Sequence, residues 1–292
     1  MDISIITPYY KGSEFLTQYI NTLTLAINNI KNIFSYEVII INDSPSENIV
    51  IDENIKKNLN IKIINNKSNQ GIHQARINGL NKSNGKFILF LDQDDVILED
   101  SLKILLDEIE NFDVCIGNGF YEFKNNSERI FKNNMSGKFA TKKIFYLYVK
   151  NFIISPGQCL IRKNAIPEKW SNKSLINNGA DDYLLWLLMF EQKSKFKYVH
   201  KDVYIHKYTG ENLSIQKEKM FNSNKELLDR LEQCNFSRKD LKKLKASINY
   251  KYFYKEHFIK ETFKHIIVFF YNVAYKLIWS GCVVTDKKLK KG

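Results

Sequence analysis

Short apolar runs alternate with amphipathic ones through the first hundred positions. Residues 3–6 (Ile-Ser-Ile-Ile) end at Thr7-Pro8, and Phe15, Leu16, Tyr19, Ile20, Leu23 and Ile27 then recur at helical spacing within 13–33. That pattern predicts strand, loop and helix. Residues 37–43 form a second buried strand and 61–64 a third, and the loop 65–71 leads to a helix near 72–80. Asn84-Gly85 turns into residues 86–91, a fourth apolar strand that halts at Asp92-Gln-Asp-Asp95. Strands this apolar, separated by helices, describe an α/β unit whose parallel sheet is covered on both faces. Ligands of such sheets bind beyond the carboxyl ends of the strands, where Thr7 to Tyr10, Asp43 and Asp92 to Asp95 all fall.

Further along, the pattern predicts a helix at 101–110, a strand at 114–123, a polar loop or hairpin at 124–134, a helix at 142–148 and a strand at 158–161. Asn178-Gly179-Ala180 turns into an apolar helix at 183–190, with Asp181 and Asp182 at its N-terminus. From residue 217 the pattern is mostly helical to about 279. This divides the chain into an α/β catalytic domain over 1–215 and a helical, basic, amphipathic extension over 216–292.

Composition supports a folded chain: of 292 residues 44% are hydrophobic and 26% charged, which excludes disorder as the main state. The net charge of +12 is unevenly spread, since residues 239–292 hold 13 lysines against four acids, a net +9, leaving +3 for the rest. An anionic partner for the tail follows, either phospholipid headgroups or nucleic acid. The tail has no arginine and many large apolar side chains, which favours a membrane or protein partner over nucleic acid. The four cysteines are widely separated without a CxxC, so they form neither a zinc set nor a disulfide framework. With no basic and apolar leader at the start, a cytoplasmic protein is expected.

Three carboxylates in four residues, Asp92, Asp94 and Asp95, repel one another unless a cation or donors offset them. A hard divalent ion, Mg²⁺ or Mn²⁺, would do so and could bridge a diphosphate; capping of the following helix, or solvation in a turn, is the alternative. Asp43 could accept from a base N–H or ribose hydroxyls, or form an Asx-turn with Ser44-Pro45. Arg76 could bind a phosphate or be a surface arginine, and Asp181 and Asp182 could be helix caps.

Taken together, Ser4-Ile-Ile-Thr-Pro-Tyr-Tyr10, Ile39-Ile-Ile-Asn-Asp43, Asn69-Gln-Gly71 with Ala75-Arg76, the strand ending in Asp92-Gln-Asp-Asp95, and Ala180-Asp-Asp-Tyr-Leu-Leu-Trp186 resemble family 2 glycosyltransferases in order and spacing. The resemblance covers about residues 1–215. It implies a GT-A fold, a Rossmann-like mixed and mostly parallel sheet with helices on both faces, and inverting transfer from a nucleotide-diphosphate sugar, usually a UDP-sugar. It places Pro8 and Tyr10 at the uracil, Asp43 at the base or ribose, Asn69 and Arg76 facing the nucleotide, and Asp92 at the ribose. Asp94 would hold Mn²⁺ or Mg²⁺, and Asp182 would be the general base. Asp181 and, through the turn Ser155-Pro-Gly-Gln158, Gln158 would lie on the acceptor side. His206 is a second metal candidate, although setting the register on Asn212-Leu-Ser214 puts Thr209 in that place.

In the tail, Glu261, Lys264, His265, Asn272 and Lys276 share one side of a helix whose remainder is largely apolar. This predicts an amphipathic helix lying in a membrane interface, with packing on the domain or on a second copy as the alternatives. The expected acceptor is a glycan or lipid-linked glycan in surface polysaccharide synthesis, reached by an enzyme peripheral to the inner face of the cell membrane. A sugar-nucleotide-forming nucleotidyltransferase is a rival, but Thr7-Pro-Tyr-Tyr-Lys-Gly12 is not the Gly-rich basic phosphate loop expected there. A non-catalytic membrane or nucleic-acid binding protein is the other.

Overall fold

The computed structural model describes residues 1–210, 216–254 and 257–280, so the Asn212-Leu-Ser214 motif and the terminal lysines 287–291 lie outside the described residues. Strand β1 (Ile3–Tyr9) is buried at all seven positions, as a strand with neighbours on both sides and helices on both faces must be. Strands β2 (Tyr36–Asn42) and β4 (Phe87–Phe90) flank it in parallel, and β3 (Ile61–Asn65) adds to β2. Pro8 lies opposite Ile41 and Ile6 opposite Phe90, so the loops after these strands leave the sheet at one edge.

Helix α1 (Leu16–Asn28) buries Tyr19, Ile20, Leu23, Ala26 and Ile27, the stripe its spacing predicts. Helix α2 (Glu53–Asn58) is short and capped by Asp52. Helix α3 (Ile72–Lys82) lies so close to β1 that a Cβ on Gly79 would come within 2.2 Å of Ile6 Cγ2. That approach sets how far Arg76, one turn earlier, can reach.

The sheet continues through β5 (Val96–Ile97), β6 (Val114–Glu122), β7 (Ser127–Arg129), β8 (Cys159–Arg162) and β9 (Phe196–Lys207) in the order β3-β2-β1-β4-β8-β6-β9-β5, with β7 pairing on β6. Strand β8 is antiparallel to β4 and β6, whereas β6 and β9 run parallel. Helices α4 (Ser101–Glu108), α5 (Asn134–Lys138), α6 (Lys143–Tyr148), α7 (Glu168–Ser171) and α8 (Asp181–Glu191) complete the α/β layers. Helix α8 is buried from Asp181 to Met189, which explains an apolar run with little polar face.

Among the described residues four helices follow: α9 (Lys217–Gln233), α10 (Arg238–Phe253), α11 (Phe258–Lys264) and α12 (Ile266–Trp279). They are fastened to the sheet region by polar ties. Glu226 accepts the backbone N–H groups of Ile176 and Asn177, and Ser247 Oγ and Asn272 Nδ2 both donate to Tyr148 O.

The amphipathic helix expected across 261–276 is instead two helices broken at His265, and its polar side does not face water as a unit. Glu261 is buried and Asn272 points at Tyr148, while Phe263, Ile259, Phe270 and Ile267 are 78, 69, 61 and 57% exposed. No helix among the described residues is long and apolar enough to cross a membrane.

Candidate active site

The loops leaving β1, β2 and β4, the N-terminus of α8, the segment between α6 and β8, and the walls of α9 and α10 enclose a cleft of about 1390 Å³. Pockets that hold one drug-sized ligand measure about 300–1,000 Å³, so this cleft has room for the reacting parts of two substrates. Pro8, Tyr10, Asp43, Asn69, Arg76, Asp92, Asp94, Asp181, Asp182 and His206 all line it.

Arg76 stands at the junction of the cleft's two halves. Its Nη2 donates to Asp92 Oδ1 at 2.5 Å, at the end of β4, and its Nη1 to Asp181 Oδ2 at 2.6 Å, at the start of α8. Ser155 Oγ donates to the other oxygen of Asp92, and Trp170 Nε1 to the Asp181 carbonyl. The side chain is 4% exposed, so it is not a surface arginine, and two of its five N–H donors already serve carboxylates. Burial opposes ionisation of Asp181, but Arg76 and then His73 overcome it and hold this carboxyl below its usual range. Asp92 is driven the other way, by burial and nearby Asp95, in spite of Arg76. Asp181, expected on the acceptor side, thus gives a carboxylate oxygen to the brace.

Asp43 is 3% exposed and accepts from Gln70 N, Gly71 N and Asn66 Nδ2 at 2.8–2.9 Å. It fastens the next loop rather than turning its own, since Ser44 N bonds Asn42 Oδ1 instead. Gly71, at φ +84°, supplies the left-handed backbone this arrangement needs, and Asn69 Oδ1 accepts from the same N–H at 2.9 Å. Tyr10 stays 45% exposed, and its backbone N–H and C=O are both bonded by the side-chain amide of Gln93 at 2.9 Å. Gln93 therefore ties the β4 loop to the β1 loop. Its place in the Asp92–Asp95 run gave no signal of that role.

The acidic run does not cap the following helix: β5 intervenes and α4 begins only at Ser101. Asp95 accepts from the Tyr204 hydroxyl, from Lys207 N at 3.1 Å and from His206 Nδ1 at 3.0 Å. That last bond leaves His206 Nε2 as the nitrogen a ligand could use. Burial, then Asp95 and Asp92, push Asp94 up to about 7, an environment that a cation would reverse. Among the described residues no three His, Cys, Asp or Glu side chains are grouped to hold a metal. Asp94 and His206 still fit Mn²⁺ or Mg²⁺ as a partial set, because such ions take one or two protein ligands and complete their shell with phosphate and water. Thr209 lines the cleft as well.

Asp182 sits in the first turn of α8 and accepts from Tyr183 N at 2.6 Å and Asn151 Nδ2 at 2.8 Å. Burial, reinforced by the charge of Asp181, pushes it up to about 8. Gln158 does not reach the cleft and is corrected here: it is fully buried, with its amide bonded to Gly117 O and Ile154 N. Asn151 and Ser155, which the sequence did not single out individually, line that side instead.

Replacing Arg76 by Gln should lower unfolding stability by about 3–5 kcal/mol in urea titrations, because two carboxylates lose their buried cation. A loss below about 1 kcal/mol would contradict this reading of the brace.

Comparison with known proteins places this geometry in a family. The glycosyl transferase family 2 model matches residues 4–169. GgaB of Bacillus subtilis, a minor teichoic acid biosynthesis protein, is 27% identical over 232 residues, which is 76% of this chain but 25% of the Bacillus protein. A Campylobacter jejuni GalNAc(5)-diNAcBac-PP-undecaprenol beta-1,3-glucosyltransferase is 27% identical over 68% of this chain and 62% of its own length. The chain thus spans less than two thirds of either relative. The structure of S. aureus TarS 1-349 in complex with UDP-GlcNAc superposes with a TM-score of 0.62 at 20% identity, covering 88% of this chain and 73% of that one, a likeness of fold. With its α/β sheet and with more than half its length matched by the family model, the chain belongs to glycosyl transferase family 2.

Proposed function

We propose that the cleft transfers a sugar from a UDP-sugar to a hydroxyl of a glycan or lipid-linked acceptor, with inversion at the anomeric carbon, in building a surface polysaccharide. The observation that carries this reading is the placement of Asp182, a buried carboxylate bonded by Asn151, in the same cleft as Asp43 and Asp94; burial and the charge of Asp181 also push it up to about 8. A carboxyl with so high a pKa is a stronger base than an ordinary aspartate. The names of the two relatives, and the UDP-GlcNAc held by the TarS fold neighbour, agree with it.

In this account Pro8 and Tyr10 border the uracil, Asp43, Asn69 and Asp92 the base and ribose, and Asp94 with His206 would hold Mn²⁺ or Mg²⁺. The ion, when bound, offsets negative charge on the departing diphosphate. Asn151 orients the Asp182 carboxylate, which takes the acceptor hydroxyl's proton as that oxygen bonds to the anomeric carbon. The bond to UDP breaks in the same displacement, and attack from the opposite face inverts the centre.

Asp182→Asn should reduce kcat by about 10²–10⁴-fold with UDP affinity unchanged. The base works only when ionised, so wild-type kcat/KM should fall as pH drops through about 8 toward 6. A flat profile over that range, or an active Asn variant, would contradict the assignment. The donor is tested separately by turnover on a panel of UDP-, GDP- and dTDP-sugars with Mn²⁺. Turnover of a UDP-sugar that Asp94→Ala abolishes is expected; no turnover with any sugar nucleotide overturns the reading.

We also infer peripheral contact with an anionic membrane, on the cytoplasmic face, through α11 and α12. The exposed Phe263, Ile267 and Phe270 stand among Lys260, Lys264 and Lys276, a combination that suits acyl chains bordered by acidic headgroups. Phe263→Asp with Phe270→Asp should abolish sedimentation with phosphatidylglycerol vesicles while leaving donor hydrolysis intact. Unchanged sedimentation would overturn the inference, and a wild-type dimer that the substitutions dissociate would assign the face to a second copy instead.

A further inference from the structure

At one rim of the cleft, where β6 and β9 end side by side, aromatic rings stand in two rows. Tyr121 and His206 are opposite one another in the strand register and both line the cleft, with ring centres 5.9 Å apart at 78°. Phe123, two positions beyond Tyr121, stacks on it at 6.2 Å and 29°. Tyr208, two positions beyond His206, meets the Phe123 ring at 5.4 Å. Phe123 and Tyr208 are both exposed. Tyr208 is flanked along the chain by the cleft-lining residues His206 and Thr209, so the outer row continues the cleft wall into solvent.

Backbone bonds hold the outer row in place. Tyr208 N donates to Glu122 O at 2.8 Å, and Phe123 N to Asn126 O at 2.8 Å across the turn into β7. Single exposed aromatics are ordinary, but rings that join into one surface leading out of a site mark a binding face. Such rings also have little side-chain entropy left to lose when a ligand arrives. A pyranose suits them: its axial C–H hydrogens carry partial positive charge and lie against the negative face of a ring, while its hydroxyls stay in water. The other aromatic pair of the cleft, Phe221 on Tyr252, is a poorer platform. Lys225 and Lys217 stand 4.4 and 4.7 Å from those ring centres, and a sugar would have to displace them.

We propose that Tyr121, Phe123 and Tyr208 form an aromatic rail that holds the sugar chain of the acceptor where it leaves the cleft. This rests on the glycosyl-transfer reading, which assigns the nucleotide to the loops of β1 and β2 and the departing diphosphate to Asp94 and His206. The donor then carries one further ring, which the chemistry uses at its anomeric centre inside the cleft. It has no part left for Phe123 and Tyr208. An acceptor longer than one sugar must instead run out over some part of the rim, and this part offers ring faces. The occupant is therefore an oligosaccharide of equatorially linked pyranoses, whose flat C–H faces recur along the chain.

The test is binding of cellotetraose and chitotetraose, and of their monosaccharides, to the full chain by saturation-transfer NMR titration with UDP saturating. Stacking reads the flat face of a sugar more than its identity, so at least one tetrasaccharide should bind, about tenfold tighter than its monosaccharide. The same titrations are made on Phe123→Ala, Tyr208→Ala and the double variant, with thermal melting as a check of folding. Each single change should weaken the tetrasaccharide about three- to tenfold, and both together should abolish the gain with chain length. Phe123→Trp should retain that gain, and UDP affinity should stay constant throughout. A wild type that binds UDP but neither tetrasaccharide overturns the rail, as does a folded double variant that keeps the gain with length. Loss of sedimentation with phosphatidylglycerol vesicles in the double variant also overturns it, by assigning the rings to a bilayer. Failure of wild type to bind UDP overturns the glycosyl-transfer reading instead, and the oligosaccharide titrations without UDP remain separately readable.

Discussion

A buried cation with two carboxylates, one from each half of the cleft, is the constraint on which the site depends. Arg76 joins Asp92, at the end of β4, to Asp181, at the start of α8 and 105 residues beyond the arginine in the chain. Burying a guanidinium is tolerable only with such partners, and each carboxylate in turn needs the guanidinium. The close seating of α3 on β1 at Gly79 places Arg76 where it can meet both. The charge state of Asp182 follows from the same arrangement. Asp181, kept ionised by Arg76, supplies the negative charge that adds to burial in raising its neighbour.

Around that brace the cleft divides by charge. Asp43, Asp92 and Asp94 end the parallel strands, and their loops are tied to one another by Gln93 and by the backbone of Gln70 and Gly71. Asp95 is withdrawn from this cluster and spent on Tyr204 and His206, which orients the imidazole. The opposite wall is completed by α9 and α10. Phe221 of α9 stacks on Tyr252 of α10 at 3.7 Å, and both line the space.

Much of the fold was legible because its first strands are buried on both faces and so read as unbroken apolar runs. Strand β9 was not, since Lys197, His200, Lys201, Asp202 and His206 interrupt it and its burial is mixed. The positions of the site residues could be read from the strand ends and the family resemblance, but their contacts could not. Arg76 and Asp181 meet only through tertiary structure, and Asp95 differs from Asp94 solely in what β9 brings to it. Gln158 failed as a site residue because a glutamine in a turn looks the same in sequence whether it faces solvent or Gly117 O. The tail was misread as one helix because residue periodicity does not show which side packs against Tyr148.

The central claim is that Asp92 and Asp181 act on the structure through one shared cation. The most direct measurement is a double-mutant cycle of Asp92→Asn and Asp181→Asn by urea unfolding. Either single change leaves Arg76 one carboxylate, whereas both together leave a buried cation with none. The account predicts that the double variant loses about 1 kcal/mol or more beyond the sum of the singles. Additivity within about 0.5 kcal/mol would contradict it and reduce the brace to two independent contacts.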